Sequence, residues 1–457
     1  MNTCEMLREL SRTWEAGRLD AELNEDHTLS WQFCAHSPEA DDGTFYTTCQ
    51  RFLRVLSPAP GYRMTEDAAE PLEVMVKKAL DSAQIVDTPS IAGLLPPEGE
   101  PWPETLMEDC GYPSLPVDEM RALAGRLWKK ISQAAHNMTE AQVTVSALAR
   151  ERLLVNTLGL VRRQVNVHYK IIATLTVKGQ TEMNSTTWRV YVPTPEALDE
   201  DAFVRDAVFA AQCTLDGGRL ASRKYPVVIS APVMAQMLLG FWKVFSGEDI
   251  LSGGSFLAGC QGKKIAGDAL ALVDADGFAG TGLKVAFDDE GTLKARSFII
   301  QEGVFETPLY TRETAAQAGA VSTGNAARKD TLGRFIPNAL VTAPKIMYLQ
   351  PSENSLKDLM AGIEDGVYIT DIDDIYHAFN FGSGDFSAPC RGVRIKDGKL
   401  CGGIRLLNLS DNLKNLFANV TAVGSRVIFC DLEDLDAYYI GGTDVLVSEL
   451  NLMGDAI

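Results

Sequence analysis

Apolar residues in the first half of the chain follow two spacings, one typical of helices and the other typical of strands. Helical spacing predicts four helices, over residues 2–17, 66–83, 117–135 and 198–215. Alternating segments rich in Val, Ile, Thr and Tyr predict strands over residues 21–35, 51–56, 143–148, 153–158, 164–177 and 186–191. A proline-rich run at about 89–116 predicts an extended connector. This order of elements predicts an α+β first domain over residues 1–219.

An apolar strand and an apolar helix follow this domain. The pattern predicts a strand over 226–230 and a helix over 231–245, with Pro232 in the first helical turn, where a missing N–H costs nothing. The helix is apolar on nearly every side, so we expect it to lie inside the protein. Alternation in later segments predicts that a second domain, over residues 220–457, is mainly antiparallel β-structure around this buried helix.

Two later segments have recognisable turn and loop chemistry. Residues 393–395 alternate and run into Asp397-Gly398, which predicts a β-hairpin. Residues 319–334 are polar and contain glycines, which predicts a long loop. We expect this loop either to border a substrate channel or to be mobile surface, and the sequence does not choose between the two.

Composition and charge narrow the class of protein. The chain has 457 residues, 46% of them hydrophobic, and this length is enough for two or three domains. A formal net charge of -19, without a concentrated basic patch, argues against nucleic acid as a partner. The nine cysteines are odd in number and include no C-x-x-C pair, so we expect free thiols and a cytoplasmic location. No apolar signal core or membrane-length apolar run occurs, so we expect no membrane association.

Isolated candidate ligands do not form a metal-binding pattern. His168 lies on the polar side of an alternating strand, which predicts a solvated position. His377 and Cys390 are close in sequence to Asp385, but their spacing matches no metal site and we do not favour one. Residues 274–281 resemble a calcium loop, yet Val285 stands where the last acidic ligand would be, which favours a simple turn.

Several blocks of the second half resemble one known family. They occur in a fixed order with plausible gaps, at residues 362–370, 382–387, 392–399, 412–417 and 444–447. These blocks are similar to the TldD/PmbA (TldE) proteins, two-subunit metallopeptidases once described as modulators of DNA gyrase. The resemblance covers residues 140–457 well and implies the two-domain α+β fold of that family.

The resemblance also points to one of the two subunit types. In the catalytic TldD-type subunit, the buried helix carries a His-Glu-x-x-x-His motif that binds the metal and supplies the general base. Alignment on the preceding leucines places Gly240, Phe241 and Phe245 at these three positions, and none of them offers a metal ligand or a proton acceptor. The cysteine ligand expected before the closing strand is also missing, since residues 438–442 read Tyr-Tyr-Ile-Gly-Gly.

The implied function is therefore that of a PmbA (TldE)-type subunit without metal or catalytic residues of its own. We expect zinc or a similar metal only in a TldD-type partner, and an unfolded peptide as the shared substrate. Gly384, Asp385, Phe386 and Ser387 are implied to form a cleft strand whose open backbone pairs with that peptide. The alternative for this segment is structural, with Asp385 capping a turn and Phe386 filling the core. The alternative for the whole chain is a homodimeric binding or regulatory protein without protease activity.

Overall fold

The computed structural model describes residues 19–56, 59–85, 90–96, 114–328, 340–375, 377–430 and 438–454. The predicted opening helix over 2–17 lies outside these residues, as does much of the predicted proline-rich connector. Helices and strands are mixed along the described chain, which confirms the predicted α+β class.

Six long antiparallel strands form the first sheet. They are β1 (Ala21–Ala35), β2 (Thr44–Val55), β3 (Gly61–Thr65), β4 (Met138–Asn156), β5 (Val161–Lys178) and β6 (Met183–Val192). Their order in the sheet is β3-β2-β1-β4-β5-β6. The two strands predicted over 143–148 and 153–158 are a single strand, because Ala149 to Arg152 pair with β1 and β5 without interruption.

Three helices cover one face of this sheet. They are α1 (Leu72–Ala83), α2 (Val117–Ala134) and α3 (Glu200–Gln212), with a 3₁₀ turn at Pro195–Ala197 before the last. Helix α1 begins six residues later than predicted, directly after Pro71. Odd-numbered apolar residues of the strands, such as Phe33, Val145 and Ile171, pack under the helices and are fully buried. The alternation in the sequence therefore correctly predicts which strand residues face the helices.

The remaining elements begin with β7 (Arg223–Ile229) and α4 (Ala231–Phe241), which continues as a 3₁₀ turn over Trp242–Phe245. The helices that follow are α5 (Gly247–Ser252), α6 (Arg312–Ala318), α7 (Leu356–Met360) and α8 (Leu413–Ala418). The strands up to the predicted hairpin are β8 (Leu272–Ala275), β9 (Ser297–Gln301), β10 (Val304–Phe305), β11 (Ala326–Ala327), β12 (Val341–Thr342), β13 (Ile346–Leu349) and β14 (Asp365–Ile372). The last strands are β15 (Asp385–Lys396), β16 (Lys399–Asn412), β17 (Val420–Val423), β18 (Ile428–Cys430), β19 (Tyr439–Gly442) and β20 (Val445–Met453).

These strands form two six-stranded sheets and one short pair. One sheet has the order β10-β9-β8-β13-β19-β18, and the other has the order β16-β15-β14-β7-β20-β17, while β11 pairs with β12. An additional pairing of β16 with the end of β20 closes the second of these sheets on itself. Strands β15 and β16 are antiparallel and join through Asp397-Gly398, as the hairpin prediction required.

Helix α4 packs against strands of both C-terminal sheets, β19 in one and β14 in the other. A Cβ atom added at Gly442 in β19 would lie 2.3 Å from the main chain of α4, so only glycine permits this approach. The predicted boundary between residues 219 and 220 lies between α3 and β7, and the division into two domains stays a prediction. Among the described residues, no helix is long and apolar enough to cross a bilayer.

Candidate functional site

The buried helix and the turn that continues it have a glycine and two phenylalanines, Gly240, Phe241 and Phe245, at the positions where the resemblance places His, Glu and His. Phe241 and Phe245 are fully buried, and their ring centroids lie 6.4 Å apart. Phe241 also meets Phe379 at 5.3 Å and Phe417 at 5.7 Å, both in edge-to-face geometry. The helix tightens into a 3₁₀ turn directly after Phe241. This aromatic cluster is core packing, and each ring is held by others on separate elements.

The structure also leaves little room for a larger residue at Gly240. A Cβ atom there would lie 2.6 Å from the Phe379 ring and 2.9 Å from the carbonyl oxygen of Ile375. Zinc in proteins is bound by nitrogen, sulfur or oxygen donors, and neither glycine nor phenylalanine side chains supply one. The residues at these three positions therefore do not fit a metal site.

Residues 438–442, which precede the closing strand β20, are likewise part of the core. Tyr438 is 2% exposed and packs edge-to-face on Trp242 at 5.7 Å. Gly441 and Gly442 are held by close neighbours on β13, β18 and α4. Among the described residues, no group of three or more His, Cys, Asp or Glu side chains is arranged to hold a metal ion.

The segment Gly384 to Ser387 lies on an open depression at the start of β15. Asp385, Phe386 and Ser387 line this depression together with residues 377–380 and 410–412. The prediction that the backbone edge of this segment is open is wrong. On one side β15 pairs with β16, and on the other Asn380 N donates to Asp385 O at 2.8 Å while Ser387 N donates to Ala378 O at 3.0 Å. Residues 378–380 thus occupy the edge that a peptide would need.

The side chains of this segment match the structural alternative. Asp385 accepts hydrogen bonds from Asn412 Nδ2 at 2.7 Å and from Ser383 Oγ at 2.8 Å, and these bonds lower the pKa of its exposed carboxyl. Phe386 is 3% exposed and belongs to the main core. Gly384 adopts a left-handed conformation with φ of 84°, which accounts for the glycine.

The other isolated candidates are placed apart from one another. His377 is exposed and bonds Asp374 at 2.7 Å, whereas Cys390 is buried in the core, where burial raises the pKa of its thiol to about 12. Asp274 is fully buried in an ion pair with Lys294 and accepts a hydrogen bond from Asn325. Its oxygen atoms are therefore engaged inside the protein, consistent with the preference for a turn over a calcium loop.

A polar layer that local sequence patterns did not predict lies between the first sheet and the C-terminal half. Even-numbered residues of β1, β4 and β5 share the face opposite the helices, and charged residues of the C-terminal half cover that face. Arg152 hydrogen-bonds the Asp289 carboxylate and donates to Phe287 O at 2.8 Å. Arg54 lies between two carboxylates, 3.2 Å from Glu22 and 3.0 Å from Glu290.

His168 belongs to this layer, and its predicted solvated position is wrong. The residue is 3% exposed, with Nε2 3.3 Å from Tyr439 Oη and the two rings in edge-to-face contact. Alternation shows only that a strand face is polar. It does not show whether water or another polar part of the chain covers that face.

The predicted polar loop over 319–334 also contributes to this layer. Asn325 and Arg328 are 0% and 1% exposed, so the alternative of mobile surface is wrong for these residues, while a border to a substrate channel stays a prediction. Arg328 hydrogen-bonds Asp26 of the first sheet through its guanidinium, and its main-chain N donates to Asp289 Oδ2 at 2.9 Å. Residues 329–334 lie outside the described part of the chain.

Burial and neighbouring charges move the carboxyl pKa values of the layer in opposite directions. Burial disfavours the charged form of Asp26 and Asp289, but surrounding guanidinium groups outweigh it and hold both pKa values well below the ordinary range. Burial raises the pKa of Glu22 to about 7. Arg54 opposes this rise, but its charge is shared between Glu22 and Glu290. Burial and the charge of Glu290 raise the pKa of Asp288 to about 6. The layer therefore combines firmly charged and readily protonated carboxyl groups.

Comparison with known proteins identifies the family. The model of the PmbA/TldA metallopeptidase C-terminal domain matches residues 222–454, about half of the chain. This chain therefore belongs to the PmbA/TldA metallopeptidase family.

Named relatives agree with this assignment. A metalloprotease of Methanothermobacter thermautotrophicus is 29% identical over 181 residues, which are 38% of this chain and 37% of the relative. Metalloprotease PmbA of Escherichia coli is 23% identical over 236 residues, which are 52% of this chain and 47% of the relative. The matched part thus spans about half the length of these curated relatives, or less.

Solved structures share the whole fold. TldE from Thermococcus kodakarensis superposes with a TM-score of 0.82 and 16% identity, covering 98% of this chain and 99% of the other. A Thermotoga maritima protein named as a modulator of a DNA gyrase gives a TM-score of 0.81 with 21% identity, covering 98% of both chains. At these identities the likeness shows the fold alone.

Proposed function

We propose that this chain is the non-catalytic, TldE-type subunit of a two-chain metallopeptidase that cleaves unfolded peptides. A TldD-type partner supplies the metal and the general base, and this chain binds neither zinc nor another catalytic metal. The observation that carries the proposal is the aromatic cluster of Phe241 and Phe245 beside Gly240. At the positions where the family resemblance places metal ligands, this chain has core packing.

The chemistry of peptide hydrolysis supports this division of roles. A metallopeptidase needs three protein ligands for its metal and a base that takes a proton from the attacking water. The helix offers no nitrogen, oxygen or sulfur side-chain donor at the three positions, and the segment 438–442 offers only tyrosine hydroxyls, with no cysteine or histidine. The contribution of this chain is then to hold its partner and shape the chamber in which the peptide lies.

The depression at Gly384, Asp385, Phe386 and Ser387 is the proposed peptide-facing surface. Because the backbone edge of β15 is already paired, contact with peptide falls to exposed side chains, among them Asp385. A carboxylate at this position attracts a basic residue of an extended peptide. This surface would therefore favour unfolded peptides rich in Lys or Arg.

The first experiment tests assembly and activity together. This chain, a TldD-type chain with an intact His-Glu-x-x-x-His motif, and their mixture are each assayed for mass by light scattering and for cleavage of casein. We expect a mixed dimer and cleavage only when the TldD-type chain is present, with full activity in the mixture. A stable homodimer of this chain that ignores the TldD-type chain would instead favour the homodimeric binding protein.

The second experiment tests the proposed peptide surface. Asp385→Asn removes the carboxylate, and Asp397→Asn removes another exposed carboxylate at the far end of the same hairpin. We expect the first variant to raise the KM of the mixture for a lysine-rich peptide by about two- to five-fold, the order of one exposed charge interaction. The second variant should behave as wild type. Equal KM values for the two variants would remove this surface from the proposal.

A further inference from the structure

One buried guanidinium joins the first sheet to the C-terminal half. Arg54 of β2 lies 3.2 Å from Glu22 of β1 and 3.0 Å from Glu290, which belongs to the turn at residues 288–291. The side chains of Arg54, Glu22 and Glu290 are 6%, 0% and 2% exposed, so the bridge that they form is shielded from solvent. Two carboxyl groups therefore share one cation inside the protein.

The hydrogen bonds of this bridge are divided unequally. Arg54 Nη1 donates to Glu290 Oε1 at 3.0 Å, and the main-chain N of Arg312 donates to Glu290 Oε2 at 2.8 Å. Among the described residues, neither carboxyl oxygen of Glu22 accepts a hydrogen bond. A buried carboxylate without hydrogen bonds is costly, whereas the neutral acid costs much less to bury. Glu22 is therefore the member of the bridge that carries a proton.

The electrostatic surroundings of Glu22 favour the same protonation state. The charged and titratable groups that act on it come from both sides of the contact, and they are Arg54, Tyr62, Asp288, Glu290 and Arg312. Burial is the largest cause, and together with the charges of Glu290 and Asp288 it outweighs the two arginines and raises the pKa of Glu22 to about 7. Lys345 acts on Asp288, whose three main-chain N–H donors all lie in the C-terminal half.

We propose that a proton on Glu22 stabilises the contact between the first sheet and the C-terminal half, and that loss of this proton favours local separation of the two. Separation exposes Glu22 to water, where an ordinary carboxyl group ionises, so opening releases one proton. The stability that the proton contributes is complete below the ordinary pKa of 4.5 and is lost as the pH rises through 7. Asp26 and Asp289, whose pKa values lie well below this range, stay charged throughout. The inference does not depend on the proposed subunit role.

One amide reports on this separation. The main-chain N of Ala286 donates to Gln164 Oε1 of β5 at 2.9 Å, so this hydrogen bond crosses the contact. Exchange of the Ala286 amide with deuterium requires that bond to break, whereas exchange of amides in α4 reports unfolding of the core. Exchange in the full chain is followed by mass spectrometry, with electron-transfer fragmentation to resolve Ala286.

Glu22→Gln keeps the size of the side chain and removes its charge. We expect faster exchange at Ala286 in the wild type than in this variant, with a rate ratio that grows by about ten-fold per pH unit between pH 5 and 7 and is constant above. A ratio taken at one pH cancels intrinsic exchange and the contribution of Asp288. Glu151→Gln is the matched control, because Glu151 lies on the helix-covered face of the same sheet with its side chain 24% exposed. Its ratio to the wild type should not change with pH.

Glu290→Gln provides a second readout. This variant leaves Arg54 to Glu22 alone, so the ionised form of Glu22 is better tolerated and the rise in opening should end at a lower pH. A wild-type to Glu22→Gln ratio that stays constant with pH would overturn the proposal. So would exchange at Ala286 that follows α4 at every pH, because the contact would then open only when the whole chain unfolds. If circular dichroism shows that Glu22→Gln does not fold, the Glu290→Gln profile decides, and an unshifted profile counts against the proposal.

Discussion

Truncation of Phe241 tests whether the helix position is core, as the proposed function requires. The ring is fully buried and touches Phe245, Phe379 and Phe417. Phe-to-Ala changes at such sites cost about 3–5 kcal/mol, combining the lost transfer free energy and the cavity left behind. Phe241→Leu keeps most of the volume and loses two edge-to-face contacts, each worth about 0.5–1.5 kcal/mol, so we expect a cost of about 1–3 kcal/mol.

Urea unfolding followed by tryptophan fluorescence measures these costs. Trp242 follows Phe241 in the chain and is 2% exposed, so its emission reports on this part of the core. Phe45→Ala is the control, because Phe45 is 47% exposed and its truncation should cost less than about 1 kcal/mol. A cost below about 1 kcal/mol for Phe241→Ala would refute the reasoning, because a position that tolerates truncation does not hold the core together.

Three further predictions concern packing, pH and metal. Gly442→Ala places a Cβ atom 2.3 Å from the main chain of α4 and should lower Tm by several degrees, whereas Gly362→Ala, which has open space around it, should not. Glu22 has a folded-state pKa of about 7, above its ordinary 4.5. The stability that this extra proton contributes is complete below pH 4.5 and is lost as the pH rises through 7. Glu22→Gln should therefore flatten the fall in the urea midpoint between pH 5 and 8, and an unchanged slope would show that Glu22 is not responsible. When the chain is purified alone in excess zinc, it should retain no stoichiometric metal, as measured by inductively coupled plasma mass spectrometry. Loss of a tightly bound metal on substitution of His377 or Cys390 would contradict this expectation.

Periodicity predicted most elements because their side chains face either a core or water. The helix over 117–135 and the hairpin at Asp397-Gly398 were predicted within a residue or two, since local propensity and turn chemistry agree with the fold there. Element ends were less accurate. The helix predicted from residue 66 begins at Leu72, and the helix predicted to residue 245 tightens at Trp242, because proline placement and tertiary packing decide the ends.

Two local interpretations were wrong for a shared reason. The open edge assigned to Asp385 is filled by residues 378–380, and the solvated face assigned to His168 is covered by the C-terminal half. In each case the local pattern identifies a polar or extended segment correctly. What lies against that segment comes from a distant part of the chain, which a local pattern does not contain.

The sequence by itself determined the α+β class, the buried character of the helix at 231–245 and the lack of donor atoms at Gly240, Phe241 and Phe245. These properties depend on residue chemistry and short-range spacing. Only the tertiary structure decided that Asp26, Asp289 and Arg328, up to 302 residues apart, form one buried layer. Charges so distant in sequence meet only when the chain is folded, and burial then changes both their pKa values and their strength of interaction.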